Sequence, residues 1–223
     1  MRIVDVGIET ITHLAFSPDG TLLAASGYTG LAISPWPSLS EGRATFATSP
    51  AEERVAQIAW HPNGRRFATA GIDRGIVQIF DIYLTFRREL AGLAGQDGPV
   101  TAIAFSRDGE QFALACGWWD EPSSLLLLDS RSWRGTKQFE AHLNQIGAIA
   151  FGPSNVLITG SADRSVAFHR LDTDEDPSFR NVPSPVQALA LNSNRDQLAV
   201  AAGNLVHLWS LNPQGFSSSS EDR

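Results

Sequence analysis

The chain has 223 residues, 43% of them hydrophobic and 18% charged, with a net charge of −7. That is enough apolar material for a sizeable core, and an acidic surface that repels polyphosphate argues against a nucleic-acid partner. Cys116 is the only cysteine, which excludes an internal disulfide framework and any cysteine-based zinc cluster. No segment approaches the roughly 20 apolar residues that span a bilayer. The start of the chain carries Asp5 where a secretion signal is greasy, so no membrane association and a soluble, cytoplasmic protein are expected.

In chain order, residues 2–8 come first as a short β-like stretch. Leu14-Ala15-Phe16 then leads into Ser17-Pro18-Asp19-Gly20. Proline presets φ and Asp-Gly tolerates positive φ, so this is a tight turn. An apolar run follows over Leu22–Gly27, then a poorly formed one within residues 31–36 and a weak one at Phe46. The same order restarts at Ile58-Ala59-Trp60, with His61-Pro62-Asn63-Gly64, a run over 67–71, Val77–Asp81 and Phe86–Leu90. It restarts at Ile103-Ala104-Phe105, with Ser106-Arg107-Asp108-Gly109 and runs over 112–117, 125–129 and 133–139.

A fourth copy opens with Ile149-Ala150-Phe151 and a degraded turn at residues 152–155, then runs over 156–160, 166–169 and 179–182. The fifth opens with Leu189-Ala190-Leu191, has the turn Asn192-Ser193-Asn194-Arg195, and continues over 198–203 and 206–209. From Phe16 onward the third residue of the opening triplet recurs after 44, 45, 46 and 40 positions.

Each period thus holds about four strands of 4–8 residues with turn signals between them, the pattern of one propeller blade. Helices are excluded because the runs are too short and Gly or Pro interrupts nearly all of them. A four-stranded blade has two apolar faces and cannot bury either alone, so blades stack. The recurrent alanines at 15, 59, 104, 150 and 190 suit the crowded innermost strand.

The succession "AFSPDG", "AWHPNG" and "AFSRDG" resembles the WD-repeat family, over residues 11–211. The resemblance implies an all-β β-propeller of four-stranded antiparallel blades and a non-catalytic scaffold that binds a protein or peptide on one rim. Five copies fit the length. A single domain over 1–211 is therefore expected, closed as a five-bladed monomeric ring by residues 2–8, with a disordered polar tail over 212–223. The alternative is part of a larger propeller, which would need roughly 280–315 residues for seven blades. Such a part would expose two apolar blade faces and self-associate.

The dipeptide that names the family is eroded to Phe80-Asp81, Leu128-Asp129, His169-Arg170 and Trp209-Ser210. The family's buried His–Ser–Asp–Trp network is matched by position in the fourth copy by His142, Ser161 and Asp163, with His169 in place of the Trp. Asp73 matches the aspartate alone in the second copy. These four matched residues are assigned structural roles.

A different class of function, a five-bladed propeller enzyme or lectin acting on carbohydrate, needs convergent acids. Glycoside hydrolysis uses two carboxylates about 5–10 Å apart, and the candidates are Asp73, Asp120, Glu121 and Asp163. Two of these match the structural aspartate. No Gly-x-Ser-x-Gly elbow is present and no polar residue repeats at one position in all five copies, so no catalytic residue is assigned.

The five histidines, His13, His61, His142, His169 and His207, are dispersed, and no metal or cofactor is expected. The acidic loop at 171–177 reads as a solvated one. The most informative stretch is Trp118-Trp119-Asp120-Glu121-Pro122. Strand alternation buries at most one of two adjacent tryptophans, so either the other stands as an interface anchor or both pack on the neighbouring blade as a lid. Equivalent loops place Tyr28, Arg74 and Arg164 on the same rim, an aromatic and arginine set suited to an acidic peptide.

Overall fold

Short apolar runs separated by Asp-Gly and Asn-Gly turns form antiparallel ladders throughout this chain. The computed structural model describes residues 8–28, 30–36, 45–47, 54–73, 75–90 and 98–211. Their regular structure is entirely β, and the chain divides into two units, Met1–Gln145 and Ile146–Arg223.

The first unit holds three sheets. They consist of β1 (Ile11–Phe16), β2 (Leu22–Gly27), β3 (Leu31–Pro35) and β4 (Thr45–Ala47); β5 (Val55–Trp60), β6 (Arg66–Gly71), β7 (Val77–Asp81) and β8 (Phe86–Leu90); and β9 (Val100–Phe105), β10 (Gln111–Cys116), β11 (Ser123–Asp129) and β12 (Gly135–His142). The second unit holds β13 (Ile146–Phe151), β14 (Val156–Ser161), β15 (Ser165–Arg170) and β16 (Ser178–Asn181), followed by β17 (Val186–Leu191), β18 (Gln197–Ala202) and β19 (Leu205–Ser210). Strands pair in sequence order in every sheet, so each sheet is one propeller blade, and the all-β expectation holds. The third run of the first copy, poorly formed in the sequence, is a regular strand paired with both neighbours. Residues 1–7 and 212–223 lie outside the described residues, and with them the closing strand and the tail.

The turn chemistry is as the residues dictate. Gly20, Gly64 and Gly109 have φ of 70°, 67° and 74°, the left-handed region that only glycine enters freely. The Asp19 carboxylate accepts from Ser17 Oγ at 2.6 Å and from Thr21 N at 3.1 Å. Asp108 repeats this with Ser106 Oγ and with Glu110 N at 2.9 Å. The serine hydrogen bond holds both carboxyls below the ordinary range.

The degraded fourth turn takes the same hand without glycine, with Ser154 and Asn155 at φ 51° and 55°. Two consecutive positive φ values make a primed turn, which favours Asn-Gly. Converting the pair to that dipeptide (Ser154→Asn with Asn155→Gly) is expected to raise stability by about 1 kcal/mol. Urea denaturation checks this, and an unchanged midpoint would contradict it.

One rule governs how sheets stack within each unit. Residues paired across strands share a face. The outer members of each opening triplet face the preceding sheet and the middle alanine faces the following one. Ile58 and Trp60 pack with Phe67 and Phe80 against Ala24, Leu31 and Ile33 of the first sheet. Ile103, Phe105, Phe112 and Leu114 pack against Ala68, Ala70, Val77 and Ile79 of the second. Leu189, Leu198 and Val200 pack against Ile158, Val166 and Phe168. At the first two steps large side chains of one sheet meet alanines of the sheet before it, Ala24 and Ala15 at the first and Ala59, Ala68 and Ala70 at the second, while at the third large side chains meet on both sides.

A bulge recurs at one place in all five first hairpins, at Ile11/His13, Val55/Gln57, Val100/Ala102, Ile146/Ala148 and Val186/Ala188. Each bends the strand and increases its local twist.

Candidate rim of aromatic loops

The loops joining second to third strands carry the residues singled out above. In the first unit they are residues 28–30, 72–76 and 117–122, at the same end of three successive sheets.

Tyr28 is half-exposed directly after β2. The Arg54 guanidinium, one residue before β5, stands over its ring with 5.6 Å to the centroid. Arg54 also grips Asp73 through three groups, its backbone N at 3.0 Å, its Nε at 2.9 Å and its Nη2 at 2.5 Å. These hydrogen bonds, with the charge of Asp73, hold the guanidinium above its ordinary pKa. Asp73, expected to be structural, binds this arginine and is only partly buried. Nothing local in the sequence announces this pair, which spans 19 residues.

The row continues through two glycines. Gly75 has φ +64°, and a Cβ there would stand 2.1 Å from the carbonyl oxygen of Gly98. A Cβ on Gly98 would in turn stand 3.4 Å from Gly117 Cα and from the indole nitrogen of Trp118. The absence of side chains lets the second loop, the entry to β9 and the third loop lie against one another.

Both tryptophans are exposed, Trp118 by 52% and Trp119 by 61%. The strand alternation rule has no hold on them, because residues 117–122 lie between β10 and β11 rather than in either. Their loop is fastened at its base. Asp120 has φ 64°, and its backbone N donates to Asn144 Oδ1 while Asn144 Nδ2 donates to its carboxylate, both at 3.1 Å. Glu121 N closes the turn on Trp118 O at 3.4 Å. Two indoles are therefore presented by a loop tied to the segment after β12.

Arg74 lies outside the described residues. Arg164 is in the second unit, exposed in the β14–β15 turn at φ 69°. Its neighbour Asp163 accepts from Ser165 N at 2.9 Å and Ser165 Oγ at 2.6 Å, while Asp163 N donates to Ser161 Oγ at 3.1 Å. Ser161 is buried at the end of β14 and His142 is buried at the end of β12, where it pairs with Ser123. His169 meets Thr159 across the β14–β15 ladder at 3.1 Å.

The candidate acids are thus engaged separately: Asp73 by Arg54, Asp120 by Asn144 and Asp163 by Ser165. Glu121 is exposed. Among the described residues no three His, Cys, Asp or Glu side chains come together as a metal site does. Cys116 is buried at the end of β10, and burial pushes its thiol up to about 11, leaving little thiolate at neutral pH.

Comparison with known proteins adds a family. The profile "WD domain, G-beta repeat" matches residues 7–32, 44–81 and 133–169. U3 small nucleolar RNA-associated protein 21 of Saccharomyces cerevisiae is 27% identical over 158 residues, 70% of this chain and 16% of that protein. WD repeat-containing protein VIP3 of Arabidopsis thaliana is 25% identical over 118 residues, 48% of this chain and 36% of that protein. The guanine nucleotide-binding protein subunit beta of Arabidopsis thaliana is 29% identical over 140 residues, 59% of this chain and 36% of that protein. Each match spans well under half of the relative's own length.

Proposed function

This chain belongs to the WD-repeat family, and we propose that it is a non-catalytic scaffold that binds a protein or peptide on the rim built by its second-to-third-strand loops. The observation that carries this is the Trp118-Trp119 pair, two exposed indoles on a fastened loop. Indoles held in place lose little entropy on binding, and a few aromatic or arginine anchors dominate most interfaces. Tyr28, with Arg54 stacked on it, extends the apolar surface within the first unit, and Arg164 supplies charge on the equivalent loop of the second unit's own first sheet. Protein partners within assemblies fit this reading, as does a cytoplasmic, reducing setting for an unpaired buried thiol.

The test compares capture by the intact protein with capture by the Trp118→Ala/Trp119→Ala variant, followed by titration of the purified partner. Each anchoring tryptophan is expected to contribute about 1–2 kcal/mol, or roughly 5–30-fold in Kd. The thermal midpoint should move little, since both indoles are more than half exposed. Equal affinity in the two proteins would sink the site. Charge reversal at Arg164 should act mainly on association rate and its salt dependence.

A further inference from the structure

Antiparallel pairing puts the first-to-second and third-to-fourth strand turns of each sheet at the end opposite the aromatic loops. In the second and third sheets these turns carry Arg65, Arg66, Arg87, Arg107, Arg131 and Arg134 against four acids, in a chain whose net charge is −7. Residues 37–44, between β3 and β4, add one acid and one base and leave that balance unchanged. Each of the four acids is engaged within its own sheet. Asp81 accepts from Tyr83 N, Thr85 N and Arg87 Nε, each at 2.9 Å. Asp108 accepts from Ser106 and Glu110 N, and Asp129 from Arg131 N at 3.1 Å and Ser132 N at 2.7 Å. Glu110 pairs with Arg131 at 2.8 Å. Among the described residues, Arg65, Arg66, Arg107 and Arg134 have no ion-pair partner.

Contacts between the two sheets gather these arginines. A hydrogen bond of 3.0 Å between His61 Nε2 and Gly109 O holds the turn before Arg65 against the turn that carries Arg107. Arg66 reaches across to the third sheet, where its guanidinium stands over the Trp133 ring with 5.6 Å to the centroid and its Nη2 donates to Ser130 Oγ at 3.3 Å. Its Nε is buried with no hydrogen-bond partner among the described residues. Burial, with the like charge of Arg131, holds this guanidinium below its ordinary pKa. A half-buried cation without a carboxylate is unfavourable, and an anion from outside relieves it. The β7–β8 turn lies alongside, with Ile82 N donating to Arg65 O at 3.3 Å, and presents Tyr83, 78% exposed. Tyrosine and arginine together are the composition of an interface centre.

We propose that this end of the first unit binds an acidic segment of a protein partner, with Arg66, Arg107 and Arg134 taking its carboxylates and Tyr83 its apolar residues. Guanidinium forks match carboxylates in planar pairs. A short segment feels only the charges within a Debye length of about 8 Å. A nucleic acid long enough to run past the patch meets the acidic remainder of the chain instead. The site is separate from the loop of Trp118 and Trp119 and does not rest on it.

Fluorescence anisotropy with the intact chain tests this. The probe is a short labelled peptide of glutamate and phenylalanine, compared with its lysine-for-glutamate counterpart and with a labelled oligothymidylate. The acidic peptide should bind, more weakly as salt rises, and the other two should not. Arg107→Gln/Arg134→Gln, which changes two exposed side chains, should weaken binding about tenfold, as should Arg66→Gln. Trp118→Ala/Trp119→Ala should leave it unchanged. Should Arg66→Gln misfold by circular dichroism, the double arginine variant decides. The proposal is overturned if the acidic peptide does not bind, or if the double arginine variant binds it as tightly as the intact chain. It is overturned equally if either comparison probe binds as well, or if the tryptophan variant loses the peptide.

Discussion

Phe112→Ala is expected to lower the unfolding free energy by about 3–5 kcal/mol, the largest effect of any substitution considered. Phe112 is wholly buried on β10 and belongs to the core between the second and third sheets. Its ring lies 4.7 Å from that of Phe105 and 5.5 Å from that of Trp133. Neither neighbour can refill the space without leaving a strand or turn that fixes it, so the cavity persists and its full cost is felt. Phe105→Ala should cost less, because Phe105 is only partly buried and already touches solvent. Guanidinium denaturation of the two variants decides the matter. A Phe112→Ala loss below about 1 kcal/mol would mean that the stacking of these sheets is looser than the structure has it.

Asp163→Ala is expected to cost about 1–3 kcal/mol, the scale of leaving hydrogen-bonding partners unsatisfied. One carboxylate oxygen accepts both the backbone N and the Oγ of Ser165. Ser165 is buried, so water does not simply replace the lost acceptor. Asp163→Asn keeps an oxygen in the same place and should recover much of the loss. Adding Ser165→Ala to Asp163→Ala should cost less than the two separate losses combined, since the pair shares one bond. An unfolding midpoint unmoved by Asp163→Ala would show the turn to be held by its backbone alone.

The sequence disclosed the fold through local chemistry. The runs at Leu22–Gly27, Val77–Asp81 and Phe86–Leu90 are strands to the residue, because turn residues bound them on both sides. The glycines of the first three turns stand where positive φ was required. Where the eroded family dipeptide keeps its aspartate, at Asp81 and Asp129, there is a physical reason. Asp81 accepts from Tyr83 N and Thr85 N, each at 2.9 Å, and Asp129 accepts from Ser132 N at 2.7 Å. That carboxylate organises the turn into the outer strand whether or not a tryptophan precedes it.

Less of the site was legible. The Trp118-Trp119 pair stood out by composition, but its double exposure depends on where β10 stops, a boundary set by Gly117 at φ 151° and not by hydrophobic pattern. The Tyr28–Arg54–Asp73 cluster joins three segments that become neighbours only when two sheets stack. The repeated bulge has no residue signature, since Thr12, Ala56, Thr101, Gly147 and Gln187 share no chemistry.

Among the described residues, each strand of a sheet hydrogen-bonds only to the strand before and after it in the chain. Ladder formation therefore closes only short loops, and the entropy of chain closure at each step is small. A sheet can form as soon as its own stretch of some 40–45 residues is free to do so, without waiting for any later part of the chain. Stacking then adds neighbours one at a time, which makes the order of synthesis a workable order of folding.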